Sequence, residues 1–107
     1  DPKIDELFAK IQSQGKTISL LSNTAFIKGK TLHKVLAYYG LASYFSFELY
    51  SDEEGIAKPN PAIFQKAYEL TNALHPVEKT QWLHIGDNPI ADIQGATNAG
   101  LCAFLIS

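Results

Sequence analysis

Five polar residues stand where short apolar runs give way to turns: Ser22 and Asn23 at the end of TISLLSN, Lys58 in AKPN, Asp87 directly after WLHIG, and Asp92 in the stretch beyond it. Two carboxylates in neighbouring turns offer the hard oxygen ligands that Mg2+ prefers, and that ion commonly takes few from the protein, leaving places for phosphate and water. A lysine neutralises phosphate charge as a point cation. A hydroxyl and an amide donate hydrogen bonds to a phosphoryl oxygen. As a set these residues suit phosphoryl transfer, in which catalysis is mostly positioning and electrostatic stabilisation. Singly, each has a plainer reading. Ser, Asn and Thr are ordinary turn residues, Lys58 reads as a solvated surface lysine, and Asp92 near a helix start can complement the macrodipole. Asp87, between Gly86 and Asn88 at a strand end, is least explained by a turn alone.

The elements that must position these residues alternate along the chain. Asp1 and Pro2 suit the start of a helix whose apolar positions are Ile4, Leu7, Phe8 and Ile11, and Gly15 ends it. Residues 17–22 read as a buried parallel strand. A helix follows from about Lys30 to Tyr39, with Leu32, Val35, Leu36 and Tyr39 on one face and Gly40 closing it. FSFELY at 45–50 reads as an outer strand with one wetter face. Asn60-Pro61 is a cap-plus-proline signal for a helix to about Leu74, carrying Ile63, Phe64, Ala67, Tyr68 and Leu70. Residues 82–86 read as another buried strand, Asn88-Pro89 repeats the start signal for a short helix over about 90–99, and 101–106 is the last strand. That rhythm implies an α/β fold: an open, doubly wound, mostly parallel sheet with crossover helices. In such sheets ligands bind beyond the carboxyl ends of the strands, where the candidate residues fall.

Composition narrows the partners. A formal net charge of -2 supplies no basic stripe for nucleic acid, and no apolar run approaches a membrane span. The first ten residues do not read as a signal peptide. Cys102 is the single cysteine, so no internal disulfide forms and a reducing cytoplasm is the expected location. Mid-strand and apolar-flanked, Cys102 reads as a packing residue, and Trp82 with the Tyr and Phe residues falls at core spacings. His33 and His75 read as facing solvent, His84 as a hydrogen-bonded core residue. GATNAGLC has P-loop glycine spacing, but Leu101 and Cys102 replace Lys-Ser/Thr, and there is no G-x-G-x-x-G, so a nucleotide-binding domain is rejected.

In order, LLSNT ending a strand, AKPNPAIF, and LHIGDNPIADIQGATNAG resemble the second, third and fourth motifs of the haloacid dehalogenase-like hydrolases, over nearly the whole chain. The resemblance implies that Ser22 is the phosphate-binding hydroxyl with Asn23 beside it and Lys58 the phosphate-binding lysine. It makes Asp87 and Asp92 the Mg2+ carboxylates of a G-D-x-x-x-x-D pattern. It also implies a first motif, a strand ending in D-x-D whose first aspartate attacks phosphorus. No D-x-D occurs in this sequence. With Asp1 at the start and no methionine, residues 1–107 are read as the C-terminal portion of such a core domain, inactive by itself because the nucleophile lies outside it.

In the family's sheet the absent strand lies centrally, between the strands that here carry Ser22 and Asp87. Leaving it out exposes ladder edges, and each buried unpaired backbone group costs about 1–3 kcal/mol. The slot is therefore expected to be filled by an upstream N-terminal segment, by a swapped piece of a partner chain, or by direct pairing of the two orphaned strands. Two acids favour a magnesium phosphatase over a dehalogenase. The short connection over residues 51–60 leaves no room for a cap domain there. The expected function is hydrolysis of a small phosphate monoester through an aspartyl-phosphate. The alternative is a non-catalytic phosphate-binding or regulatory module.

Overall fold

The alternation of helix and strand is present in the computed structural model, which describes residues 2–24 and 28–106. The capping role expected of Asp1 lies outside the described residues. The chain divides into two units, Asp1–Glu53 and Glu54–Ser107.

In the N-terminal unit, α1 (Pro2–Ser13) leads to β1 (Ile18–Ser22), then α2 (Gly29–Tyr38) and β2 (Phe45–Tyr50). Gly40, at φ +73°, takes the left-handed turn that ends α2 and that a residue with a Cβ adopts poorly. Strands β1 and β2 pair in parallel, with Ser22 opposite Tyr50, as the crossover through α2 requires. Phe8 of α1 sets its ring edge-on against Tyr44 and Phe45, at centroid distances of 5.4 and 5.8 Å. Leu49 and Tyr50 are the buried end of β2. Glu48 joins the Tyr50 hydroxyl to His33 Nδ1, so His33, half exposed as expected, is also tied down.

A short helical turn, α3 (Ser51–Glu54), precedes α4 (Pro61–Leu74), β3 (Leu83–Gly86), a π-helical turn over Pro89–Gln94, α5 (Gly95–Asn98) and β4 (Cys102–Leu105). The Lys58–Pro59 peptide is cis. Asn60 caps α4 by accepting from the Ala62 N–H at 2.9 Å, and Pro61 needs no such partner. Ile63, Phe64 and Ala67 of α4 are buried with Trp82, Ala96 and Leu101. Trp82 Nε1–H donates to Thr71 Oγ1 at 3.1 Å, satisfying the indole inside that core. Strands β3 and β4 pair in parallel, Leu83 opposite Cys102 and Gly86 opposite Leu105.

The strands therefore form two parallel ladders, β1–β2 and β3–β4. Four expectations need correction. Strand β3 is not buried on both faces: His84 points inward, while Leu83 and Ile85 are each 55% exposed. Period-2 alternation puts them on the opposite face, and no described element covers it. Cys102 shares that face through its register with Leu83 and is exposed rather than packed. Tyr38, Tyr39 and Phe104 are also exposed despite their core-like spacing. Finally, the stretch expected as one helix over 90–99 is a π turn followed by an α turn.

Candidate active site

In each unit candidate residues follow a strand end. In the N-terminal unit Ser22 is the last residue of β1, and Asn23 and Thr24 follow it out of the ladder. Thr24 is held there: its N–H donates to Ser51 Oγ at 2.8 Å and its hydroxyl donates to Asp52. Ser22 and Asn23 thus precede a turn fixed at both its strand partner and its side chain.

In the C-terminal unit, β3 ends at Gly86, Asp87 follows it exposed to solvent, and Asn88 caps the next turn by accepting from the Ile90 and Ala91 N–H groups, both at 2.9 Å. That cap sets Asp92 in the first helical turn with only 3% exposure. Its carboxylate is bonded on three sides. Lys58 Nζ lies 2.5 Å from Oδ1, His84 Nε2 lies 2.9 Å from the same oxygen, and the Asn88 N–H donates to Oδ2 at 3.0 Å. Gly86 makes room for this: a Cβ there would overlap the Asp92 carboxylate.

The electrostatics follow from the contacts. Burial pushes the Asp92 pKa up, but hydrogen bonds from Lys58, His84 and the Asn88 N–H, together with the Lys58 charge, outweigh it and bring it down to about 2. Burial lowers the His84 pKa, Asp92 opposes that, and the Lys58 charge adds to it. His84 is neutral at pH 7 and donates through Nε2. Its ring stands edge-on to Phe64 at 5.0 Å and stacks on Trp82 at 6.2 Å, so its orientation is fixed from both sides.

The structure brings Lys58 and Asp92 together, and Lys58 is not the solvated lysine of the plain reading: its side chain is 12% exposed. Asp92 does more than complement a macrodipole. Ser22 and Asn23 belong to the other unit. Sequence reasoning placed His84 in a hydrogen-bonded core position but missed that its partner is Asp92. Asp52, inside the acidic run SDEE, was not singled out.

Two carboxylates from one strand end and the turn beyond it match the donor type and small number that Mg2+ takes from proteins. Asp92 Oδ1 is occupied by two donors, which leaves Oδ2, with one hydrogen bond, as its available oxygen. Asp87, exposed at the strand end, has room for a ligand.

Comparison with known proteins agrees with the family resemblance. The family model for haloacid dehalogenase-like hydrolase matches residues 1–100. The chain is 31% identical over 102 residues to human haloacid dehalogenase-like hydrolase domain-containing protein 3. It is 33% identical over 102 residues to a phosphoserine phosphatase of Thermus thermophilus. Each match covers 95% of this chain and 38% of the relative, so the chain spans well under half the length of these proteins. Among solved structures it resembles the HAD-hydrolase YfnB from Bacillus subtilis bound to magnesium, with a TM-score of 0.80 and 27% identity, over 94% of this chain and 41% of that one. The chain belongs to the haloacid dehalogenase-like hydrolases.

Proposed function

We propose that this chain is the C-terminal part of the catalytic core of a magnesium-dependent phosphatase acting on a small phosphate monoester, with the nucleophilic aspartate outside residues 1–107. The observation that carries it is the Lys58–Asp92 ion pair, buried beside the turn that exposes Asp87 at the end of β3. Likeness to a phosphoserine phosphatase supports the phosphatase class.

In this reading Ser22 and Asn23 bind one phosphoryl oxygen by hydrogen bonds, and Lys58, steered by Asp92, places its charge on another. Asp87 and Asp92 Oδ2 hold Mg2+, which when bound neutralises phosphoryl charge. A carboxylate oxygen supplied from outside this chain attacks phosphorus, and the ester P–O bond breaks. The departing alkoxide takes a proton from a general acid, and water then cleaves the aspartyl-phosphate to phosphate and free carboxylate. The central strand that carries this carboxylate comes from an N-terminal segment or a swapped partner chain. The setting is the cytoplasm, and among the described residues no helix is long and apolar enough to cross a membrane.

A non-catalytic phosphate-binding or regulatory module that keeps the fold and the phosphate pocket is the second reading. Hydrolysis of p-nitrophenyl phosphate by the full-length protein separates the two. Turnover that requires Mg2+ and disappears in Asp87→Ala supports the enzyme; binding of phosphate without turnover supports the module. The 107-residue chain itself is expected to give no turnover.

A further inference from the structure

The parallel register that places Ser22 opposite Tyr50 also sends Thr24 and Asp52 out of the ladder side by side, each two residues past the pair. Asp52 there reaches in two directions. Its carboxylate accepts the Thr24 hydroxyl, and its own N–H donates to Thr24 Oγ1 at 3.0 Å. The same carboxylate accepts from the Gly29 N–H, at 3.0 Å to Oδ1 and 3.2 Å to Oδ2. Gly29 is the first residue of α2, and Lys28 before it provides no side-chain cap. Asp52, from another strand's exit, therefore does the capping, satisfying an orphan donor and placing negative charge at the positive helix end.

The approach is close because position 29 is glycine. A Cβ there would come within 2.6 Å of the Tyr50 side chain, so a larger residue would push the start of α2 away from the end of β2. Hydrogen bonding from Thr24 lowers the Asp52 pKa most, burial opposes it, and the Gly29 N–H adds to the lowering. The carboxylate is ionised at neutral pH.

We propose that Asp52 is a positioning residue for the phosphate-binding turn, pinning the backbone just after Ser22 and Asn23 to the first turn of α2. It touches no substrate; it fixes the direction in which the Ser22 and Asn23 donors point. This rests on the reading of Ser22 and Asn23 as phosphate ligands.

The test uses the full-length protein, with amide hydrogen exchange by NMR and a titration with inorganic phosphate. Asp52→Ala is expected to speed exchange at Thr24 and Gly29 by about tenfold or more while Leu20 and Leu21 change by less than about twofold. Phosphate-induced shifts at Ser22–Thr24 should weaken by about threefold or more in affinity. Asp52→Asn keeps an acceptor oxygen and should recover most of both effects; it also serves if Asp52→Ala does not fold. Unchanged exchange at Gly29, uniform acceleration through β1 and β2, or local acceleration with unchanged phosphate affinity each overturns the proposal. If the wild-type full-length protein shows no phosphate shifts, the phosphate reading of Ser22 and Asn23 falls. The exchange data then still decide whether Asp52 pins the turn.

Discussion

His84 Nε2 stands 2.9 Å from Asp92 Oδ1, the oxygen that Lys58 Nζ also reaches. With Asp92 ionised, only a hydrogen on Nε2 makes the contact favourable, so the ring is held as one neutral tautomer. A single buried oxygen thus collects a cation and a neutral donor, and the aromatic faces of Phe64 and Trp82 keep the neutral donor in place.

This arrangement makes folding sensitive to acid. The His84 pKa lies below its ordinary 6.5 in the folded chain, so the unfolded chain takes up the proton first. The stabilisation is complete above 6.5 and is lost as pH falls from there toward the lower folded value. A second contribution comes from Asp92, fully present above 3.8 and lost as pH falls through about 2. Thermal unfolding in metal-free buffer should show Tm falling as pH drops below 6.5, and His84→Asn should flatten that slope. His33 and His75 are present in both proteins, so the difference isolates His84. Parallel curves for the two would refute the assignment.

Lys58 and Asp92 should be strongly coupled. Their side chains are 12% and 4% exposed, and removing one charge leaves the other buried. Lys58→Met and Asp92→Asn should each cost about 3 kcal/mol, with the double variant less destabilised than the sum by about 1 kcal/mol or more. Urea unfolding of the four proteins closes the cycle. Additive losses would mean that the pair does not interact in solution.

The elements were largely legible because glycine and proline punctuate them: Asn60-Pro61 and Asn88-Pro89 announce helix starts, and Gly40 and Gly100 end them. The pairings were not. Lys58 and Asp92 are 34 residues apart, and local periodicity says nothing about which turn meets which. Asp52 reads as one more solvated acid in SDEE until the β1–β2 register sets it beside Thr24. His84 was recognisable as buried and bonded because it lies between apolar neighbours in a strand, but its partner depends on the turn made by Asn88. Cys102 misled for a related reason. Apolar flanks signal burial only when both faces of a sheet are covered, and among the described residues nothing covers the face it shares with Leu83, Ile85 and Phe104.

Gly86 tests the seat of Asp92 directly. A Cβ at this position would overlap the carboxylate, so Gly86→Ala should displace Asp92 and destabilise the chain by about 1–3 kcal/mol, the usual cost of overpacking. Introduced on an Asp92→Gly background, where the overlapping Cβ, Cγ and Oδ2 are all gone, the same change should cost clearly less. Equal costs on both backgrounds, read by urea unfolding, would place the clash elsewhere.

Asp87 offers the sharpest separation of activity from stability. It is exposed just past the end of β3, so Asp87→Asn, which keeps size and polarity while removing the charge, should shift the unfolding free energy of the 107-residue chain by less than about 0.5 kcal/mol. In the full-length protein the same substitution should lower kcat for p-nitrophenyl phosphate by about a hundredfold or more, the scale expected when a transition-state charge contact is lost. It should also raise the Mg2+ concentration needed for half-maximal rate. Asp92→Asn should differ in kind, losing stability and activity together because its carboxylate is buried and carries Lys58 and His84. If Asp87→Asn left both rate and Mg2+ dependence unchanged, the carboxylate at the end of β3 would be a turn residue and the metal would have to be held elsewhere.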